Sequence, residues 1–206
     1  MKIVKIIKQI KGWYRVLNTP WYYSFLFERK GKMKIFLVAG KTGSGKNEVA
    51  NLIKEYYIYK LQKCAVTTFS KSITAMAMEL SDWDGNEATK PSHLFQEIGD
   101  KARQIDENYF VTNMIKDIQI YAQYVDVLVI SDARMQREID ELKENFNDVY
   151  AIYVINQFSS SKLTIEEQSH ITETALENYE DFDCIIANDN INTLRDKVFK
   201  YLEGIR

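Results

Sequence analysis

Two prolines and eight glycines in 206 residues leave little punctuation, which excludes a collagen-like repeat or a loop-rich scaffold and favours long helices and strands. Only two cysteines are present, Cys64 and Cys184, in separate apolar runs without metal-type spacing. That scarcity excludes a disulfide framework and a zinc finger, and it reads as buried thiols in a reducing, cytoplasmic compartment. With 46% hydrophobic and 27% charged residues, the chain is too apolar for intrinsic disorder. Excess charge of one sign is also missing, the formal net being -2. Its distribution is uneven, however. Residues 1–34 hold nine of the 27 Lys and Arg but one of the 29 acids, a net of +8 against -10 for the remainder. An acidic body repels phosphate polymers, so nucleic acid is not expected as a partner.

The basic part opens MKIVKIIKQIKGWYRVLN, with Ile3, Ile6, Ile7, Ile10, Trp13, Tyr14 and Leu17 at helical spacing and Lys2, Lys5 and Lys8 opposite. Lysines interrupt it too often for a signal peptide or for the ~20 apolar residues of a membrane span. Three readings fit residues 1–18: packing on the main domain, peripheral contact with an anionic membrane surface, or contact with a partner or a second copy in a homodimer. The chain thus divides into a basic amphipathic N-terminal extension, residues 1–32, and a domain of residues 33–206.

In that domain, Lys34–Ala39 (KIFLVA) suits a buried parallel strand. GKTGSGKN follows directly, comprising Gly40, Lys41, Thr42, Gly43, Ser44, Gly45, Lys46 and Asn47, and then a helix through Val49, Leu52, Ile53 and Tyr56. Strand, glycine-rich loop and helix in this order are the context a phosphate-binding loop requires. The glycines let consecutive N–H groups turn inward around an anion, the helix N-terminus adds positive potential, and Lys46 reaches the β- and γ-phosphates. Asn47 stands where Ser or Thr ordinarily binds Mg²⁺; an amide oxygen ligates less tightly.

Further strands are expected at Cys64–Phe69, Val125–Ser131, Val149–Ile155 and Asp183–Ala187, with helices at about 72–80, 92–104, 108–123, 135–146, 166–179 and 191–203. The alternation means an α/β fold, a five-stranded parallel sheet covered on both faces, with ligands at the carboxyl ends of its strands. At one such tip lies SDARMQRE. Asp132 there suits the water shell of Mg²⁺, and Arg134 and Arg137 suit phosphate; a helix cap with surface arginines explains the same residues.

These motifs resemble the nucleoside monophosphate kinase group, most nearly the phage-type deoxynucleoside monophosphate kinases and their dephospho-CoA kinase relatives, from about Met33 to the C-terminus. Trp83-Asp84-Gly85, then Leu94-Phe95-Gln96 with Gly99 and Arg103, is similar to that group's monophosphate-binding region. The resemblance implies a P-loop NTPase three-layer fold with a helical monophosphate-binding insertion and a short lid. It assigns Gln96 to the acceptor nucleotide, Arg103 to its phosphate, and Asn188 and Asp189 to the loop contacting the donor adenine. His170-Ile-Thr-Glu173 echoes a further family element, although a lone histidine is more often a hydrogen-bonded structural residue than a catalyst, and Trp83 and Tyr109, which could stack on a base, are at such spacing more often core.

The implied activity is ATP- and Mg²⁺-dependent phosphorylation of a nucleoside or deoxynucleoside monophosphate. Lys46, Asp132, Arg134 and Arg137 would be catalytic, and Asn47 and Asp132 would address the metal. The alternatives are dephospho-CoA kinase and a nucleotide-binding regulatory protein with weak or lost catalysis. The last is favoured by residues 156–180, where the family carries lid arginines and this chain has Lys162, no arginine, and Glu166, Glu167, Glu173, Glu177 and Glu180.

Overall fold

Strand β1 (Lys34–Ala39) carries large apolar side chains at consecutive positions, and Ile35 to Val38 are all at most 1% exposed. A strand apolar on both faces has to be covered on both faces. The computed structural model describes residues 33–156 and 163–205, and it supplies that cover. The segment 1–18 read as a basic helix, and Lys162, lie outside the described residues.

After β1 come α1 (Lys46–Tyr59), β2 (Cys64–Thr67), α2 (Lys71–Leu80), a 3₁₀ turn (Glu87–Thr89), α3 (Ser92–Ile105) and α4 (Tyr109–Tyr121). Then follow β3 (Val127–Ala133), α5 (Gln136–Asn145), β4 (Val149–Ile155), the short α6 (Ile165–Ser169) and α7 (Ile171–Thr174), β5 (Cys184–Ala187) and α8 (Ile191–Glu203). The five strands run parallel in the order β2-β3-β1-β4-β5. This is the three-layer α/β architecture expected from the alternation. Phe36 and Val38 face α1 and α8 through Val49, Ile53, Leu194 and Val198. Ile35 and Leu37 face the opposite layer, built on Ile73, Phe110, Met114, Ile118, Ile139 and Leu142. Fully burying each such side chain stabilises the fold by about 1.5–3 kcal/mol relative to exposure.

Three local expectations are corrected. The third strand begins at Val127, because Asp126 is used to join it to the preceding strand: its Oδ2 accepts from Lys63 N at 2.8 Å and its N–H donates to Lys63 O at 2.8 Å. The strand therefore runs through Asp132 to Ala133. The single helix expected over 166–179 is broken at His170, which is extended (φ -61°, ψ 147°) and caps α7 by accepting from Thr172 N–H. Both cysteines are half-buried free thiols rather than fully buried ones; burial pushes Cys64 up to about 12.

Candidate active site

Since β1 lies between β3 and β4, the loop after it, the tip of β3 and the segment after β4 meet at one end of the sheet. They bound, with α3, a cleft of about 830 Å³ lined among others by Lys46, Phe95, Arg103, Asp132 and Arg134.

The phosphate loop is already wound around its lysine. Lys46 Nζ donates to Gly40 O at 2.9 Å and Lys41 O at 2.8 Å. Its side chain is buried, and that burial, followed by the nearby charge of Arg134, lowers its pKa from 10.5 to about 7 against the opposing pull of Glu173 and Asp132. Glycine is required at both ends of the loop. Gly40 sits at φ +141°, where a Cβ would meet Val154 O at 2.5 Å and Ser44 Oγ at 2.7 Å. At Gly45 φ is +96° and a Cβ would stand 2.2 Å from Asn188 Nδ2. No side chain caps α1, so its first-turn N–H groups face the loop. The Ser44 hydroxyl is buried and finds no hydrogen-bond partner among the described residues.

Of the residues read at the β3 tip, Arg134 enters the cleft and Arg137 does not. Arg134 Nη2 donates to Thr42 Oγ1 at 3.0 Å and Nη1 to Glu173 Oε1 at 2.6 Å. Arg137 instead pairs with Glu107 at 2.6 Å and borders a separate groove with Asp140, Glu141 and Glu144. Arg134 precedes α5 whereas Arg137 is its second residue, and the start of the helix turns the second arginine away. Asp132 lines the cleft, but its Oδ1 and Oδ2 accept from Phe69 N (2.7 Å) and Ser70 N (3.0 Å), pinning the loop after β2.

On α3, Gln96 and Arg103 both line the cleft. Gln96 Nε2 donates to Glu167 O at 3.1 Å, joining α3 to α6. Arg103 lies over the Phe110 ring, 5.0 Å from its centroid, and pairs with Asp100 at 3.4 Å. A Cβ at position 99 would be 3.2 Å from its Nη1, so Gly99 makes room for the guanidinium. Trp83 donates to Asn86 O at 2.9 Å and packs edge-on against Phe95, a core role rather than a base stack. Tyr109 likewise packs edge-on against Phe110. Asn188 Nδ2 donates to Ser44 O at 3.0 Å, while Asp189 pairs with Lys197, which holds its carboxyl below the usual range.

Three contacts at the cleft go beyond the sequence reading, which names His170 and Glu173 but not their partners. Glu173 is the first: its Oε2 accepts from Thr42 N–H and its Oε1 from Thr42 Oγ1, both at 2.8 Å. Glu177, next to it, holds Lys41 Nζ at 2.5 Å. Glu138 is the second; it is buried, and its Oε2 accepts from Arg134 N (2.7 Å) and Met135 N (3.1 Å). Burial raises its pKa from 4.5 to about 7. An acid at the third position of a helix reaching back to its cap is a legible spacing. The third is His170, whose Nε2 lies 2.9 Å from Asp100 Oδ2 and whose Nδ1 lies 2.9 Å from Thr172 Oγ1, tying the lid to α3. Among the described residues no helix is long and apolar enough to cross a membrane.

No family model matches the chain. An uncharacterized protein of Ictalurid herpesvirus 1 (strain Auburn), ORF77, is 27% identical over 186 residues, covering 88% of this chain and 75% of that protein. Among solved structures, TT1252 from Thermus thermophilus matches with a TM-score of 0.53 at 12% identity, over 84% of this chain and 98% of that one. The Mycobacterium tuberculosis APS kinase CysC, solved in complex with AMPPNP and APS, matches with a TM-score of 0.51 at 13% identity, over 85% and 100%. At such identities the likeness is one of architecture: the chain shares the three-layer α/β fold of these proteins, a parallel sheet with a glycine-rich loop after its central strand.

Proposed function

We propose that the chain is an ATP-dependent phosphotransferase whose acceptor is a nucleoside or deoxynucleoside monophosphate, with residues 33–206 as the catalytic unit and residues 1–32 as an extension outside the chemistry. The observation that carries this reading is the convergence of Lys46, the Thr42 N–H and the Arg134 guanidinium on one side of a formed phosphate loop. The Thr42 N–H already holds an anion, the carboxylate of Glu173, so the site fits phosphate oxygens. In this role Lys46 binds the β- and γ-phosphates, and Arg134 braces the transferring group through a planar fork suited to two phosphate oxygens. Arg103 and Gln96, which line the same cleft from α3, receive the acceptor. A monophosphate oxygen is already an anionic nucleophile, so no general base is needed.

Oxygen donors are the right chemistry for Mg²⁺, and Asn47 and Asp132, both on the cleft, would hold it directly or through water. When bound, the ion neutralises charge on the β- and γ-phosphates.

A second reading, nucleotide binding with weak transfer, is favoured by one observation: the lid acids Glu173 and Glu177 lie on the phosphate loop where arginines would assist transfer. ADP release from ATP, measured across a panel of monophosphates and dephospho-CoA with Lys46→Ala as control, decides the matter. Turnover with a monophosphate, abolished by the substitution, supports the first reading. ATP binding with no acceptor-dependent ADP supports the second, and turnover with dephospho-CoA alone moves the acceptor to a sugar hydroxyl.

A further inference from the structure

The lid meets the phosphate loop through carboxylates. Glu173 is nearly enclosed, its side chain 7% exposed, and its two oxygens take a loop N–H, a loop hydroxyl and an arginine. These are the donors that a phosphoryl group engages: backbone amide, hydroxyl and guanidinium. Glu177, four residues on, closes on Lys41 beside it. The segment carrying both is fastened from behind. His170 is bonded to Asp100 on α3, Gln96 reaches Glu167 O, and Gln136 Nε2 donates to Ala175 O at 2.9 Å. The carboxylate is therefore presented to the loop by a braced element rather than by a loose side chain.

We propose that Glu173 is a built-in occupant of the phosphate loop, a carboxylate standing in for nucleotide phosphate and holding the empty site shut until a polyphosphate displaces it. The inference rests on the reading of this loop as a phosphate site and adds its regulation. A nucleoside triphosphate brings several negative charges to the donors that Glu173 now holds. Like charges at contact distance in a partly dry site repel strongly, so the two anions exclude one another. An arginine-bearing lid is drawn down by bound phosphate; a glutamate-bearing lid is driven off by it. Displacement also releases two cations, Arg134 from Glu173 and Lys41 from Glu177, at the moment a phosphate arrives to receive them. The acid-rich lid, a defect when judged as a source of transition-state charge, becomes the element that keeps the loop filled.

The test is calorimetric binding of inorganic tripolyphosphate, ATP and adenosine to the full-length chain and to its Glu173→Gln, Glu177→Gln and Lys46→Met variants. Glu173→Gln keeps the side-chain size and removes the charge. A charged hydrogen-bond partner is worth enough that tripolyphosphate and ATP should bind about tenfold or more tightly to it than to the native chain. Glu177→Gln should give a smaller gain in the same direction, and adenosine should bind all forms alike. In the native chain, hydrogen exchange should quicken at residues 171–177 when tripolyphosphate binds, a readout that needs no variant to fold. Equal or weaker polyphosphate binding to Glu173→Gln, or slower exchange at 171–177 on binding, overturns the proposal while leaving the phosphate site intact, provided that Lys46→Met abolishes binding. Failure of every form to bind tripolyphosphate overturns the site and the proposal together.

Discussion

Asn188 donates its side-chain amide to the carbonyl of Ser44 at 3.0 Å, and its nitrogen fills the space where a Cβ on Gly45 would stand, 2.2 Å away. The loop after β5 thus locks the phosphate loop across the sheet. Gly45→Ala should lose about 1–3 kcal/mol from the positive φ alone and abolish polyphosphate binding. Asn188→Ala should lose about 1 kcal/mol for the hydrogen bond. In urea unfolding, the double variant should be more stable than the sum of the two losses, because the clash disappears with the amide. Additive losses would mean that the contact is not as close as described.

Lys46 titrates at about 7 in the folded chain, against 10.5 ordinarily. Between those values the unfolded chain holds a proton that the folded chain has released, so this residue makes stability rise with pH through that window. The slope is at most about 1.4 kcal/mol per pH unit. Lys46→Met should therefore lose stability relative to the native chain as pH goes from 7 to 9, measured by denaturation at each pH. Phosphate binding should take up a proton at pH 8, visible as a binding enthalpy that depends on the buffer's own ionisation enthalpy. A pH-independent difference between the two proteins would contradict the buried, neutralised lysine.

Glu138 shows the opposite sign. Its carboxyl is raised to about 7 by burial, so between 4.5 and 7 the folded chain holds a proton that the unfolded chain has lost, and stability falls as pH rises. Glu138→Gln retains an oxygen for the two backbone N–H groups and should flatten this fall. Glu138→Ala orphans both donors at the start of α5 and should lose roughly 2–4 kcal/mol. Equal stability for the two variants at neutral pH would show that the backbone contacts contribute little.

Arg134 and Arg137 should separate cleanly. Arg134→Ala removes the guanidinium that enters the cleft and should lower kcat by about 10³-fold on the phosphotransfer reading. Arg137→Ala breaks an exposed pair with Glu107 and should leave kcat within about twofold, since exposed pairs contribute 0–1 kcal/mol. A large loss from Arg137→Ala would mean that it swings into the cleft with substrate bound.

Elements set by local pattern were legible in the sequence. The apolar run Ile35–Val38, the glycines at 40, 43 and 45, and the Leu94-Phe95-Gln96 run with Gly99 and Arg103 each act within a few residues. Together they identified the central strand, the loop and α3. Illegible were the contacts that span the chain. Glu173 meets Thr42 across 131 positions, and Asp132 meets Phe69 across 63. In a linear reading, the first belongs to the His170-Ile-Thr-Glu173 element of an acid-rich segment and the second is a metal-side carboxylate or a helix cap; neither reading contains the contact. The break at His170 has the same origin, because its partner Asp100 is 70 residues away. Arg137 lies outside the cleft for a local reason: proximity in sequence to Arg134 does not survive the turn into α5.

Every cation described on the cleft is already engaged. Arg134 is paired with Glu173, Arg103 with Asp100 and Lys90 with Glu87, while Lys46 is bonded to loop carbonyls and half discharged near neutral pH. The empty site consequently projects little positive potential into solvent, and a distant polyanion experiences scarcely any steering toward it. Capture then relies on short-range exchange of partners after contact, so the association rate should vary only weakly between low and physiological ionic strength, unlike that of a site lined with bare arginines.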